Sequence, residues 1–305
     1  MTISLPSSAK PDFLVIGAGR SGTTSLHQYL SQHPQLFLPP KNPSYFYATD
    51  LTGSPLADRP AVMPHYFVTS GDAYSRLFCD APSGCLRGEV SPVYLASTRV
   101  ASRIARVLPG IRLIAILRHP IDRVRSRYLS RHRDGLESAA TFEQLVDREL
   151  DKPVHRDDAH ATYLAGGMTS HFLATYLDLF PRENILILFF EDFARDTATS
   201  MADICRFLDI DNTFPFDVSH IYNQGGGRIR NHAIARLWAG SEPWRRRLRP
   251  CLPKRWRDKA FQRVTARSEP VPLMRDTRRR LLDFYGQDIE RLQELTGRDL
   301  SHWRC

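Results

Sequence analysis

The sequence predicts an α/β fold, a single domain in which a parallel sheet is flanked by helices. Three observations carry that expectation. Phe13-Leu-Val-Ile16 is a short apolar, β-branched run that passes through Gly17, Gly19 and Gly22 into Leu26, Tyr29 and Leu30 at helical spacing. Ile111–Leu117 is a near-continuous apolar run, and Ile185–Phe190 is another; both read as strands buried on two faces. Amphipathic segments lie around them, from Arg99 to Leu108, Thr197 to Leu208 and Leu273 to Leu295. The 305 residues suffice for one large domain with a sizeable core. The organisation expected is a loose tail over residues 1–11 and one domain over 12–305.

Composition narrows the classes of function. Hydrophobic residues make up 42% of the chain, ordinary for a soluble protein, and no apolar run approaches the roughly 20 residues of a membrane helix. The first ten residues lack a basic stretch followed by an apolar one, so no secretory signal is read. The five cysteines, at 79, 85, 205, 251 and 305, have no disulfide-framework or zinc spacing, which makes the cytoplasm the expected compartment. The formal charge of +9 is concentrated: ten Lys and Arg residues between Arg236 and Arg263 face only Glu242 and Asp258, with Trp238, Trp244 and Trp256 interleaved. This segment suits peripheral contact with an anionic surface, or is simply a solvated basic face. No nucleic-acid motif accompanies it, so no specific nucleic-acid partner is expected.

The first strand, glycine loop and helix build an anion site. Glycines let the backbone aim its N–H groups inward, and the helix N-terminus adds partial positive charge. Gly17, Gly22 and Thr24 fit a nucleoside-triphosphate P-loop, but Thr23 stands where that motif needs lysine. The cation lies inside the loop instead, at Arg20. Its planar fork suits a single phosphate or sulfate group.

Gly17-Ala-Gly-Arg-Ser-Gly-Thr-Thr-Ser-Leu26 resembles the 5′-phosphosulfate loop of PAPS-dependent sulfotransferases (PAPS is 3′-phosphoadenylyl sulfate), especially bacterial and heparan-sulfate-type members. The resemblance implies a P-loop-like fold and transfer of a sulfuryl group from PAPS to a hydroxyl or amine, with no metal required. Carbohydrate is among the acceptors it suggests, beside other small molecules. It assigns Arg20 to the transferring group and Ser21, Gly22, Thr23, Thr24 and Ser25 to the 5′-phosphate.

Other segments extend the resemblance. Arg118-His-Pro-Ile-Asp-Arg-Val-Arg-Ser126 matches the family's Arg-x-Pro-x-Asp-Arg-x-x-Ser, whose first arginine and serine bind the 3′-phosphate. The residues alone agree with this: Arg118 would stand at the carboxyl end of a strand and Ser126 about two turns along the next helix. Read without the loop, the same arginine-rich stretch is equally a basic surface helix. The late loop Gly225-Gly-Gly-Arg228 resembles the segment that closes over the nucleotide, making Gly227 and Arg228 binding candidates with Arg230 behind them; a plain flexible hinge is the alternative.

Lys41-Asn42-Pro-Ser-Tyr-Phe46 resembles Lys-Glu-Pro-x-(Tyr/Phe)-Phe, placing Lys41 and Asn42 at the acceptor. Relatives use that glutamate as the base, and an amide at Asn42 accepts no proton at neutral pH. Gly88-Glu-Val-Ser-Pro-Val-Tyr94 resembles a second motif beside the sulfuryl group. Glu89 is thus the leading substitute base, or a buried partner of the loop; His65 and His119 are weaker candidates. The helix expected from Tyr163 to Leu179 matches a further family pattern in part. Three alternatives stay open: a P-loop kinase, a PAPS or PAP binder without turnover (PAP being desulfated PAPS), and a surface-binding protein acting through residues 236–263.

Overall fold

The computed structural model describes residues 10–40, 43–49, 68–133, 136–152, 162–220, 227–229, 265–267 and 273–304. Its frame is a five-stranded sheet of β1 (Phe13–Gly17), β2 (Leu36–Phe37), β3 (Leu86–Val90), β4 (Arg112–Leu117) and β5 (Ile185–Phe189), in the order β2-β3-β1-β4-β5. Every neighbouring pair is parallel. β1 is therefore the middle strand, and the expected interior strand β4 lies beside it.

Alternation along the strands sends successive side chains to opposite faces. Leu14, Ile16, Leu113, Ala115 and Leu117 join one apolar cluster. It is built with helices α3 (Thr98–Val107), α6 (Ser170–Leu179) and α9 (Arg275–Thr296). Phe13, Val15, Ile114 and Ile116 join the other, with α1 (Thr23–Leu30) and α8 (Thr197–Leu208). Helices on both faces are what fully apolar parallel strands require. The remaining helices are α2 (Gly71–Ser75), α4 (Pro120–Arg133), α5 (Phe142–Leu150) and α7 (Phe190–Arg195).

Three elements differ from the sequence expectation. β3 carries Arg87 and Glu89, which hide its period; it forms because β1 and β2 flank it. At Gly88 an added Cβ would lie 2.1 Å from the Phe13 ring, so only glycine allows this approach. The helix expected from Tyr163 begins at Ser170, after a 3-10 turn over Ala165–Gly167. Asp288 on α9 accepts hydrogen bonds from the backbone N–H groups of Thr169 (3.0 Å) and Ser170 (3.1 Å), so a residue far away in sequence caps that helix. The last strand is the sheet edge and ends at Phe189; Phe190 opens α7, and only Ile185 of the strand is buried. Among the described residues, no helix is long and apolar enough to cross a membrane. Residues 1–9 of the expected tail, and the basic segment 236–263, lie outside the described residues.

Candidate active site

The carboxyl ends of β1, β3, β4 and β5 point to one edge, where open parallel sheets bind ligands. β1 runs into the glycine loop. Gly22, at φ 81°, is the N-cap of α1, and its Cβ position would be 3.1 Å from the Phe190 ring. Arg20 itself is left-handed, at φ 71°, a sparsely populated conformation for a side-chain-bearing residue that recurs at functional sites.

The turn from β4 into α4 holds this loop from the other side. Arg118 Nη1 donates to the Arg20 carbonyl (2.7 Å), and Arg123 Nε donates to the Gly19 carbonyl (3.0 Å). Arg20 Nε donates to Ser126 Oγ (3.1 Å). The Arg118 guanidinium lies 4.3 Å over the Phe190 ring. Burial depresses the Arg118 pKa, opposed by Asp122 and Glu191. Burial also takes the Arg123 pKa down to about 10, with Arg127 adding to it. Both guanidiniums remain cationic at neutral pH.

A cavity of about 760 Å³ opens here. Arg20, Gly22, Thr23, Thr24, Ser25 and Arg118 line it, together with Ser126. Seven of the expected nucleotide residues are thus brought to one cavity, from two segments about a hundred positions apart. Ser21 is fully buried beneath the lining. Its Oγ and Arg118 Nε have no hydrogen-bond partner among the described residues. Buried polar atoms are ordinarily satisfied, so these two orphans beside helix-terminal N–H groups fit an anion's oxygens. Gly227 lies in β6 (Gly227–Ile229) with Arg228; β6 pairs with β7 (Thr265–Arg267), and its backbone lies against α4. Lys41, Asn42, His65 and Arg230 lie outside the described residues.

Glu89 is placed differently from a cavity base. It is 1% exposed and is not on the cavity wall. Four hydroxyls donate to its carboxylate: Ser44, Ser91 and Tyr94 (2.7 Å) to Oε1, and Tyr74 (2.6 Å) to Oε2. His119 is also committed elsewhere. Its Nδ1 accepts from the Ile121 N–H (3.2 Å), leaving Nε2 to donate to the Trp303 carbonyl (3.0 Å), and burial lowers its pKa. It packs behind Arg118 as a neutral ring.

Several site residues escaped the sequence reading. Phe190 and Phe193 wall the cavity from α7, while Asp122 and Arg125 do so from α4. Glu191 Oε1 accepts from the His119 N–H (3.0 Å), clamping the turn that carries Arg118, and burial raises its pKa. The Glu-Asp pair at 191–192 was visible in the sequence, but nothing local indicated what it would hold.

The fold and this loop-and-arginine cavity define a binder of phosphate or sulfate esters. The model of the sulfotransferase family matches residues 11–54 and 56–214, and the chain belongs to that family of enzymes. A solved sulfotransferase from Alicyclobacillus acidocaldarius is 28% identical, with a TM-score of 0.72 over 97% of this chain and 99% of that one. The human bifunctional heparan sulfate N-deacetylase/N-sulfotransferase 2 is 29% identical over 204 residues, which are 66% of this chain and 22% of that protein. The membrane-associated sulfotransferase kil1 of Dictyostelium discoideum is 29% identical over 151 residues, 46% of this chain and 28% of that protein. The chain thus spans about a fifth to a quarter of the length of these curated relatives.

Proposed function

We propose that this chain transfers a sulfuryl group from PAPS to an acceptor hydroxyl or amine. The observation that carries the reading is the open cluster at the sheet edge: Arg20, Arg118 and the unpartnered Ser21 Oγ around one cavity. PAPS would supply the sulfuryl group on an S–O bond to its 5′-phosphate. The backbone N–H groups of residues 21–24, with the Thr23 and Thr24 hydroxyls, would hold that phosphate. Arg20 would face the bridging oxygen and neutralise the charge developing as the S–O bond breaks, while the acceptor oxygen or nitrogen forms its bond to sulfur and loses a proton. Preorganised charge of this kind is the main contribution in analogous phosphoryl transfers. Arg118 and Ser126, with Gly227 and Arg228 closing from β6, would hold the 3′-phosphate that separates PAPS from ATP. Glu89 acts in this reading as a positioning residue. Its four hydroxyl partners tie the segment after Asn42 to the end of β3, and they leave the carboxylate no free face toward an acceptor.

Thermal unfolding with nucleotides tests the donor. PAP raises the melting temperature by several degrees, whereas ATP with Mg²⁺ does so much less. Equal stabilisation by the two would return the loop to the kinase reading. The closed state of Glu89 favours one second reading, a PAPS binder without turnover, which tight PAP binding with no PAPS consumption in the presence of any acceptor would establish.

A further inference from the structure

Resting on the donor reading above, we propose that the acceptor is an apolar-bodied phenol carrying an anionic group, and that Arg125 receives that anion. The cavity has two unlike halves. Tyr29, Phe190 and Phe193, from the cluster built on α1 and α8, stand on the side of the glycine loop. Tyr45, Val93 and Leu129 stand on the opposite side and pack against the other cluster; Pro43 and Pro92 complete that wall. This second half adjoins residues 41–42, where the family resemblance puts the acceptor. It offers an aromatic ring, two prolines and two aliphatic side chains. A neutral glycan needs a hydrogen-bond partner for each hydroxyl it buries, whereas a flat apolar body needs surfaces such as these. Tyr45 is held at φ 57°, a strained conformation for a bulky residue at a position on the cavity wall. Burial pushes its phenol pKa up to about 12, so it stays neutral.

Arg125 adds the charge. It lines the cavity, is half-buried, and has no ion pair or hydrogen bond among the described residues. At about 100° per residue, Arg125 projects roughly 160° around α4 from Arg123, which grips the glycine loop. Ser126, bonded to Arg20, lies between them on the loop side. Leu129, one turn on from Arg125, shares its flank and belongs to the apolar wall. Arg125 is thus aimed away from the loop, along the acceptor half. Asp122, the other charged group on this face, is drawn to the start of the helix, where it acts on Arg118 and His119.

The reacting group follows from the base. Glu89 is enclosed by four hydroxyls, and Asp122, beside Arg118, is the one carboxylate on the described cavity wall. A hydroxyl that ionises near pH 10, as a phenol does, needs less help than an aliphatic alcohol. Its proton passes to solvent. The phenolate oxygen forms the new O–S bond, the S–O bond to the 5′-phosphate breaks, and the electron pair leaves on PAP beside Arg20.

The test uses the full chain saturated with PAP, titrated calorimetrically with 3-(4-hydroxyphenyl)propanoate and with its neutral amide. The acid binds roughly ten- to hundredfold tighter than the amide, as a charge-assisted contact implies. Arg125→Gln abolishes that preference with amide affinity and PAP affinity unchanged, and Arg125→Lys retains most of it. Equal binding of acid and amide to the native chain overturns the proposal, as does binding of neither. A loss of PAP affinity in Arg125→Gln overturns it by moving Arg125 to the nucleotide. If PAP itself fails to stabilise the native chain, the donor reading falls and this proposal with it. PAP binding without preference for the acid removes this proposal alone.

Discussion

Two polar clusters stand side by side at the carboxyl edge of the sheet, and they differ in how fully they are satisfied. At the end of β3, Glu89 takes hydrogen bonds from four hydroxyls, and Tyr94 passes the network on to α6 by accepting, at its carbonyl, from Tyr176 OH (2.8 Å). At the ends of β1 and β4, Arg20 and Arg118 are tied into the loop, yet Arg118 Nε and Ser21 Oγ have no partner among the described residues. A buried network with every member paired rigidifies its surroundings. A buried cationic cluster with orphaned donors keeps capacity for an anion. The difference separates the part of the edge that holds shape from the part that binds.

The largest expected effect tests the open cluster. Arg118→Ala removes both a cation and the donor to the Arg20 carbonyl, and should cost about 2–5 kcal/mol of PAP affinity if the contact is desolvated. Calorimetry checks it; unchanged affinity would show that the cluster is open for no reason connected with the nucleotide. Glu89→Gln tests the closed one. An amide nitrogen facing hydroxyl donors should lower stability by about 2–4 kcal/mol, read by chemical denaturation, with PAP affinity of the folded protein unchanged. Lost turnover at undiminished stability would instead make Glu89 the base and break the comparison.

Gly22→Ala is a smaller probe of the loop between them. A left-handed φ of 81° and the Phe190 ring 3.1 Å from the new methyl should cost about 1–3 kcal/mol of stability and weaken PAP binding by displacing the α1 N-terminus. A fully stable, PAP-competent variant would show that the loop tolerates rearrangement.

The smallest effect concerns a third carboxylate, closed like Glu89 but titratable. Burial opposes ionisation of Glu137, yet hydrogen bonds from Arg148 and the Ala139 N–H carry its pKa down from 4.5 to about 2. A lowered folded-state pKa contributes stability that is present above about pH 4.5 and lost as pH falls toward 2. Native melting temperature should therefore decline across that window, and Glu137→Gln should decline less. Parallel curves would mean that the Arg148 contact is screened away.

The glycine loop, Arg118, Ser126, the interior strands and the amphipathic helices were legible because each is a local pattern: a period, a glycine spacing or a charge at a strand tip. β3 was not, since Arg87 and Glu89 mask its alternation and its neighbours supply its hydrogen bonds. The α6 boundary was missed because its cap, Asp288, comes from α9. Glu89 was visible as a carboxylate beside the family's reacting group. Its enclosure depended on Ser44, Tyr74 and Tyr94 arriving from three other segments.

By itself the sequence determined the class of fold, the anion loop and the two arginines, since glycine conformations, apolar periods and fixed charges act over a few residues. Tertiary structure alone decided which of those groups are satisfied. Hydrogen-bond satisfaction is a property of what packs nearby, and at this sheet edge it separates Glu89, fully enclosed, from Arg118 and Ser21, each with a polar atom left unpaired among the described residues.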